Sequence, residues 1–240
     1  MRMGKKFQII ESEVNWPIAY LALCAAWLVT VIIAALILLL FCELFSQGFN
    51  DYYSYHLDRF FIILITEIVC IIISIFLIPY MINIKEKEFQ KVVINEKGLY
   101  VYNYSNKIIT RILYTELFRS DDSFLPDVRS VTNTQPSFTK SIKIFKKNES
   151  GQIQETGIGF NYGIYILKNK YDLYRHFLIG VQNFRPDLKI EQQTLEEYNL
   201  SAKARPVQKS AEFEFFITII LLALIFCLLY SIVLVINFLV

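Results

Sequence analysis

Histidine is almost missing from this chain, with two in 240 residues, His56 and His176. Cysteine is nearly as scarce: all four, Cys24, Cys42, Cys70 and Cys227, fall inside long apolar runs. That placement argues against a disulfide framework and against a cysteine-based zinc site in the polar part of the chain. A cysteine in an apolar helix reads as a small hydrophobe. No glycine-rich phosphate loop, HExxH, DxDxDG or GxSxG string occurs. The acidic pairs Asp121/Asp122 and Glu196/Glu197 fall in loop or linker sequence, where adjacent carboxylates are usually just solvated. The expectation is a protein that is not an enzyme, with no catalytic residue, no metal ligand set and no cofactor.

Charge is what the apolar runs lack. Pro17–Leu44 has none before Glu43, Phe60–Ile82 has only Glu67, and Phe215–Val240 has none. The chain is 55% hydrophobic, above the share usual for soluble domains, and its mean hydropathy is +0.41. About 20 apolar residues cross a hydrocarbon core of roughly 30 Å, so each run is long enough to span. A helix satisfies its own backbone in lipid. The first run is far longer than the roughly 7–15 apolar residues of a signal peptide. The expected layout is a cytoplasmic N-terminal segment 1–16, transmembrane helices at 17–44, 60–82 and 213–240, an external loop 45–59, a polar domain 83–190 and a linker 191–212.

The basic residues orient this layout. Ile84–Lys209 holds 20 of the 24, against 14 acidic residues, and Arg2, Lys5 and Lys6 sit at the head. By the positive-inside rule the N-terminus and polar domain face the cytoplasm and the C-terminus lies outside. Phe49, Tyr52, Tyr53 and Tyr55 suit an interfacial aromatic belt at the outer loop.

Within the polar domain, "FQKVVIN", "LYVYNY" and "IITRILYTEL" are close-spaced runs rich in Val, Ile and Tyr, joined by "NEKG" and "SNK". They read as an antiparallel meander. "SIKIFKK", "NESG" and "QIQETGIGF" read as a hairpin, and "NYGIYIL" as a last strand. A helix follows at about 169–185: Leu173, Phe177, Val181 and Phe184 share one face. Asn169 is its expected N-cap, Gly180 permits close packing on a sheet, and Arg185-Pro186 ends it. "LEEYNLSAKA" in the linker reads either as flexible chain or as a short helix.

Strands followed by one amphipathic helix resemble the pleckstrin-homology-like fold. More closely, the hairpin Pro17–Ile82, "VVINEKGLYVYN", "ITRILYTEL" and "YILKNKYDLYRHFLIGVQNFRPDL" resemble bacterial membrane proteins in which a transmembrane hairpin leads into such a domain, the YcxB-like or bacterial pleckstrin-homology group. The likeness covers roughly residues 1–190. It implies a transmembrane hairpin leading into an antiparallel β domain, closed by its C-terminal amphipathic helix, at the bacterial inner membrane. Together with the third apolar run, in which the chain departs from the simplest members of that group, the expected class is a membrane protein of α plus β with three transmembrane helices.

Two groups of residues invite a functional reading. Lys140, Lys143, Lys146 and Lys147 make the second hairpin basic, and a near-surface lysine gains roughly 1 kcal/mol from an anionic leaflet. They are candidate contacts to lipid headgroups, against the plainer reading of a solvated positive-inside surface. Glu67 is the candidate intramembrane polar site; it serves either as structural glue, bonded to Thr66 or another helix, or in proton or ion handling. His176 reads as a partly exposed structural histidine. Nucleic acid is not an expected partner, because the domain lacks a dense basic stripe. The expected function is an interaction or scaffold module, of which a membrane immunity protein is one form. Its partners are membrane lipids, a protein of unknown identity and, in one arrangement, further copies of itself. The alternative is a transport or channel component working through Glu67.

Overall fold

The computed structural model describes residues 7–46, 57–122, 124–133, 139–147 and 151–201. The expected third span, most of the expected external loop, and His56 lie outside the described residues. The chain divides into two compact units, Met1–Ala19 with Glu88–Lys209, and Tyr20–Lys87 with Ser210–Val240.

The described part of the second unit is helical. α1 (Trp16–Ser46) and α2 (Leu57–Glu88) are each just over 30 residues long. At roughly 1.5 Å per residue both exceed the thickness of a bilayer core. Only 11% of the most apolar stretch of each is buried by protein, whereas a soluble core helix would be mostly covered. Two helices long and apolar enough to cross a membrane are therefore present. Their few polar side chains turn inward on the helix backbone: Thr30 donates to the Ala26 carbonyl, Thr66 to Ile62, Ser74 to Cys70 and Asn83 to Pro79. Pro79 lies inside α2, where it has no N–H to give. Leu40 and Leu44 meet Ile63 in a small apolar cluster.

The first unit is built from two antiparallel sheets. β1 (Ile10–Glu11), β2 (Gln90–Asn95), β3 (Gly98–Asn103) and β4 (Ile108–Leu113) form one sheet in that order. Gly98 opens β3 at φ +151°, and a Cβ there would fall 2.2 Å from the Ile112 carbonyl oxygen, so only glycine fits the turn. A turn of 3-10 helix, Tyr114–Glu116, leads into the second sheet. There β7 (Thr139–Lys147) is central. β8 (Ile153–Ile158) pairs along one side of it, and β5 (Leu117–Phe118) and β6 (Val128–Asn133) pair in succession along the other. One core joins both sheets, including Val92, Ile94, Leu99, Ile112, Ile142 and Ile144.

α3 (Lys170–Phe184) closes that core. Leu173, Phe177 and Val181 are fully buried, as are Leu178 and, nearly so, Tyr174, so the apolar face is wider than one stripe. Phe184 lies at its margin, 41% exposed, stacked on Tyr114 at 5.3 Å. Asn169 precedes α3, but its side chain makes no capping bond to it. It binds the N-terminal segment instead, accepting from the Glu13 N–H at 2.8 Å and donating to the Glu11 carbonyl at 2.7 Å.

Two stretches differ from the sequence expectation, and a third falls on one of the two alternatives the sequence left open, with earlier bounds. The N-terminal segment is part of the β unit: Ile10 and Glu11 pair with Ile94 and Val93. The expected last strand at 161–167 makes only a single bridge, Leu167 to Val14, against the N-terminal segment, whose preceding residues pair with β2. The start of the linker folds as α4 (Gln192–Glu197).

Gly180 carries the closure of α3. A Cβ there would lie 1.9 Å from the Tyr114 hydroxyl oxygen and 2.2 Å from its ring, and that hydroxyl is buried with no hydrogen-bond partner. Gly180→Ala is expected to destabilise the β unit by about 1–3 kcal/mol through overpacking. Tyr114→Phe is expected to be neutral or stabilising and to soften the Gly180→Ala loss. Thermal unfolding of the detergent-solubilised chain, followed by near-ultraviolet circular dichroism, reads both.

Candidate functional site

The four lysines of β7 do not share a face. Successive strand residues point to opposite sides, so Lys140 and Lys146 fall in register with the core residues Ile142 and Ile144, one at each end. Lys143 and Lys147 fall on the other face with Phe145. Their surroundings differ accordingly. Lys140 forms an ion pair with Glu197, Lys143 lays its stem beside Gly157, and the Lys147 ammonium stands 4.8 Å from the Phe118 ring centre. Lys146 is paired in register with Leu117 and Gln154.

Lys140 belongs to a polar cleft of about 380 Å³, lined also by Ser130, Thr132, Gln193, Glu196 and Glu197. α4 forms its far wall, and Thr194 fixes that wall. The side chain of Thr194 is fully buried; its hydroxyl accepts the Ser130 N–H at 2.7 Å and donates to Glu191 at 2.8 Å. Backbone bonds at the start of β6 continue the seam: the Val128 N–H donates to the Lys189 carbonyl and the Glu191 N–H to the Val128 carbonyl. Asp127 accepts the N–H groups of Ser120 and Lys189, both at 2.7 Å. Tyr174 crosses under the cleft, donating to the Lys140 carbonyl at 2.8 Å and accepting the Phe160 N–H at 3.0 Å. Burial pushes its hydroxyl up to about 12. Glu196 and Glu197 are thus helical, and both are engaged: Glu196 accepts from Gln192 and Glu197 pairs with Lys140.

Glu67 lies on α2 in the helical unit and is 7% exposed. Thr66, a partner the sequence offers it, donates its hydroxyl to Ile62 instead. His176 lies on α3. Its Nε2–H donates to the Gln8 carbonyl at 2.5 Å and its ring packs 4.4 Å from Phe7. Burial lowers its pKa, the Gln8 bond partly offsets this, and the Arg175 charge lowers it further. Among the described residues there is no group of three or more His, Cys, Asp and Glu side chains placed to hold a metal ion.

Two assemblies escape a reading of the sequence. Arg185, which reads only as the residue before a proline, is clamped by Asp187 through two 2.9 Å bonds. It donates onward to the carbonyls of Tyr114 and Leu117. The guanidinium holds the exposed Asp187 carboxyl down at about 2. The second assembly is aromatic. Trp16 stacks on Phe89 at 6.2 Å, and Tyr165 meets both edge-on. Tyr104 meets Phe89 edge-on at 6.1 Å. Trp16 borders the first apolar run and Phe89 follows the charged end, Lys85–Glu88, of the second, which is the one signal the sequence holds for this cluster.

Thr194→Val is expected to cost about 1–3 kcal/mol by leaving a buried N–H unpaired, with Thr194→Ser close to wild type. Hydrogen exchange across residues 190–200 measures it. For His176 the neutral form is favoured in the fold, so the unfolded chain binds more protons as pH falls. The stabilisation is complete above the ordinary histidine pKa of about 6.5 and declines below it. Exchange in β1, corrected for intrinsic rate, should therefore be faster at acid than at neutral pH, and His176→Gln should remove that difference. Comparison with family models, curated proteins and solved structures finds no match to this chain.

Proposed function

We propose that this chain is a multi-pass membrane protein, at the bacterial inner membrane, whose β unit is a cytoplasmic interaction module of pleckstrin-homology-like type. One observation carries the reading. β1 and β2 are hydrogen-bonded neighbours in one sheet, yet α1 and α2 lie between them in the chain. A pair of membrane-capable helices spliced between adjacent strands makes the anchor part of the sheet's own construction. Ser12 and Val92 exchange two bonds, Val92 N–H to the Ser12 hydroxyl at 2.9 Å and Ser12 N–H to the Val92 carbonyl at 2.8 Å. Lys91 and Glu11 form an ion pair beside them at 2.7 Å.

Two features of the β unit support partner binding. Among the described residues β8 is paired on its β7 side only, and an edge strand of this kind takes up an extended peptide by backbone bonding. The cleft beside α4 offers Lys140, Glu196 and Glu197 to a polar segment of such a partner. The module acts by presenting these surfaces at the membrane, without chemistry of its own. The burial of Glu67 favours a second reading, a transport component in which this carboxyl handles protons or ions.

Alkaline carbonate should leave the chain in the membrane pellet, and release into the supernatant would end the spanning reading. A photo-crosslinker at Gln154 on β8 should give a discrete adduct in membranes, while one at Glu96 on the β2–β3 turn should not. In liposomes, a proton or ion flux that Glu67→Gln abolishes would favour transport over the interaction module.

A further inference from the structure

The outer edge of β6 is filled at its start and open farther on. Val128 turns both backbone groups away from β7: its N–H donates to the Lys189 carbonyl at 3.2 Å, and its carbonyl accepts the Glu191 N–H at 2.9 Å. The two stretches meet as a parallel bridge, Val128 to Ile190. Ser130, two residues on, turns its N–H the same way, to the Thr194 hydroxyl at 2.7 Å. Backbone groups alternate sides along a strand, and β6 runs against β7 without a register shift. Thr132 therefore turns its N–H and carbonyl outward as well, and among the described residues neither has a partner. The chain's own segment thus pairs with this edge as an added strand does, then turns away into α4 at Gln192.

What it leaves uncovered is the polar cleft. Ser130 and Thr132 line one side, and Gln193, Glu196 and Glu197 of α4 line the other. The α4 side is fixed. Thr194 is fully buried, the Tyr171 hydroxyl donates to the Glu197 carbonyl at 3.2 Å, and Tyr198 stacks on Tyr171 at 5.4 Å. At about 380 Å³ the space falls within the range of small ligand sites. A sheet edge with outward backbone groups takes up an extended peptide by main-chain bonding, and the neighbouring side chains select its sequence.

Charge decides which side chain that peptide brings. The cleft sets one base, Lys140, against two acids, Glu196 and Glu197, and so carries one net negative charge. Lys140 is in register with Thr132, and its ion pair with Glu197 joins β7 to α4 beside the open stretch. The pair is in contact with solvent, and such pairs are weakly held. A cation arriving on a ligand can take the place of Lys140 on Glu197, with Glu196 beside it.

We infer that the open stretch of β6 is a peptide-binding edge, where an extended segment of a partner protein bonds the outward groups of Thr132 and sets a lysine or arginine against Glu196 and Glu197. This deepens the reading of the β unit as an interaction module and rests on it. The site lies wholly within that unit, on a different edge from β8.

The test uses the full chain in detergent and a heptapeptide of alternating threonine and valine with arginine at its centre, labelled with an uncharged fluorophore. Two counterparts carry glutamate at the centre, or the arginine on a backbone with methylated nitrogens. By fluorescence anisotropy the arginine peptide should bind several-fold tighter than either counterpart. Glu197→Gln should weaken it several-fold, and Lys140→Met should tighten it, because the competing ammonium is gone. Thr132→Pro removes only an outward N–H, which an edge tolerates, and should weaken binding several-fold; the methylated peptide tests the same bonding from the ligand's side. Equal binding of the arginine and glutamate peptides, or weaker binding in Lys140→Met, would overturn the inference. So would indifference to both Thr132→Pro and methylation, or no binding of any of the three peptides. In membranes, a photo-crosslinker at Thr132 is set beside the one at Gln154, and an adduct at Thr132 that Glu197→Gln removes is the expected result. An adduct at Gln154 alone would overturn the β6 site and leave the interaction module standing. Adducts at neither position would overturn the module itself. A crosslink from Thr132 to residues 203–209 of the same chain, which include Lys203, Arg205 and Lys209, would make the occupant internal and overturn the partner.

Discussion

The pairing of β1 with β2 is the constraint from which the architecture follows. Residues 80 apart in sequence are joined by hydrogen bonds, and everything between them is two apolar helices and their connection. Closing so long a stretch costs entropy that grows only slowly with length, as roughly (3/2)RT ln n. A handful of backbone bonds and the packing around them can therefore hold it shut. Once closed, the N-terminal segment has β2 on one side and residues 166–168 on the other, through Asn15, Val14 and Lys168. Its neighbour Asn169 gives up a helix-capping role to bind it.

The closing helix is held by a different device. Tyr114 lies flat between Phe177 and Phe184, 5.7 and 5.3 Å away, with its hydroxyl over Gly180. Arg185 caps the same place, bonding the Tyr114 and Leu117 carbonyls where the chain passes from the first sheet into the second. Helix closure and the crossing between sheets thus share one set of residues. A buried hydroxyl without a partner is a cost, of order 1–3 kcal/mol, and the aromatic stacking and close helix approach around it offset that cost.

How much of this was legible depends on whether the signal was local. The long apolar runs state their own length. The Val-, Ile- and Tyr-rich alternations of 90–113 state their period, and α3 shows its stripe through Leu173, Phe177 and Val181. The N-terminal strand shows nothing of the kind: two residues, Ile10 and Glu11, set no period, and their partner lies far along the chain. The same absence misled the reading of 161–167. Its apolar alternation suits a strand, but apart from the Leu167 bridge its aromatic side chains fill the core and the helix junction instead, Tyr165 being buried and Tyr162 packed partly buried against the core. α4 was legible only as one of two possibilities, because a six-residue helix is set by tertiary contacts such as that of Thr194 rather than by propensity. The lysines of β7 were visible as a group, but whether four basic residues form one surface depends on strand parity, and here 140 and 146 oppose 143 and 147.

The interleaved order of strand, helices and strand sets a schedule for biogenesis. The ribosome releases β1 before either long helix and β2 after both. The first strand has no sheet partner to zip against until everything in between has been made. Completion of this sheet therefore waits on synthesis of both helices. A chain interrupted before β2 would carry β1 as an orphaned strand, Ile10 without the Ile94 it pairs with in the finished molecule.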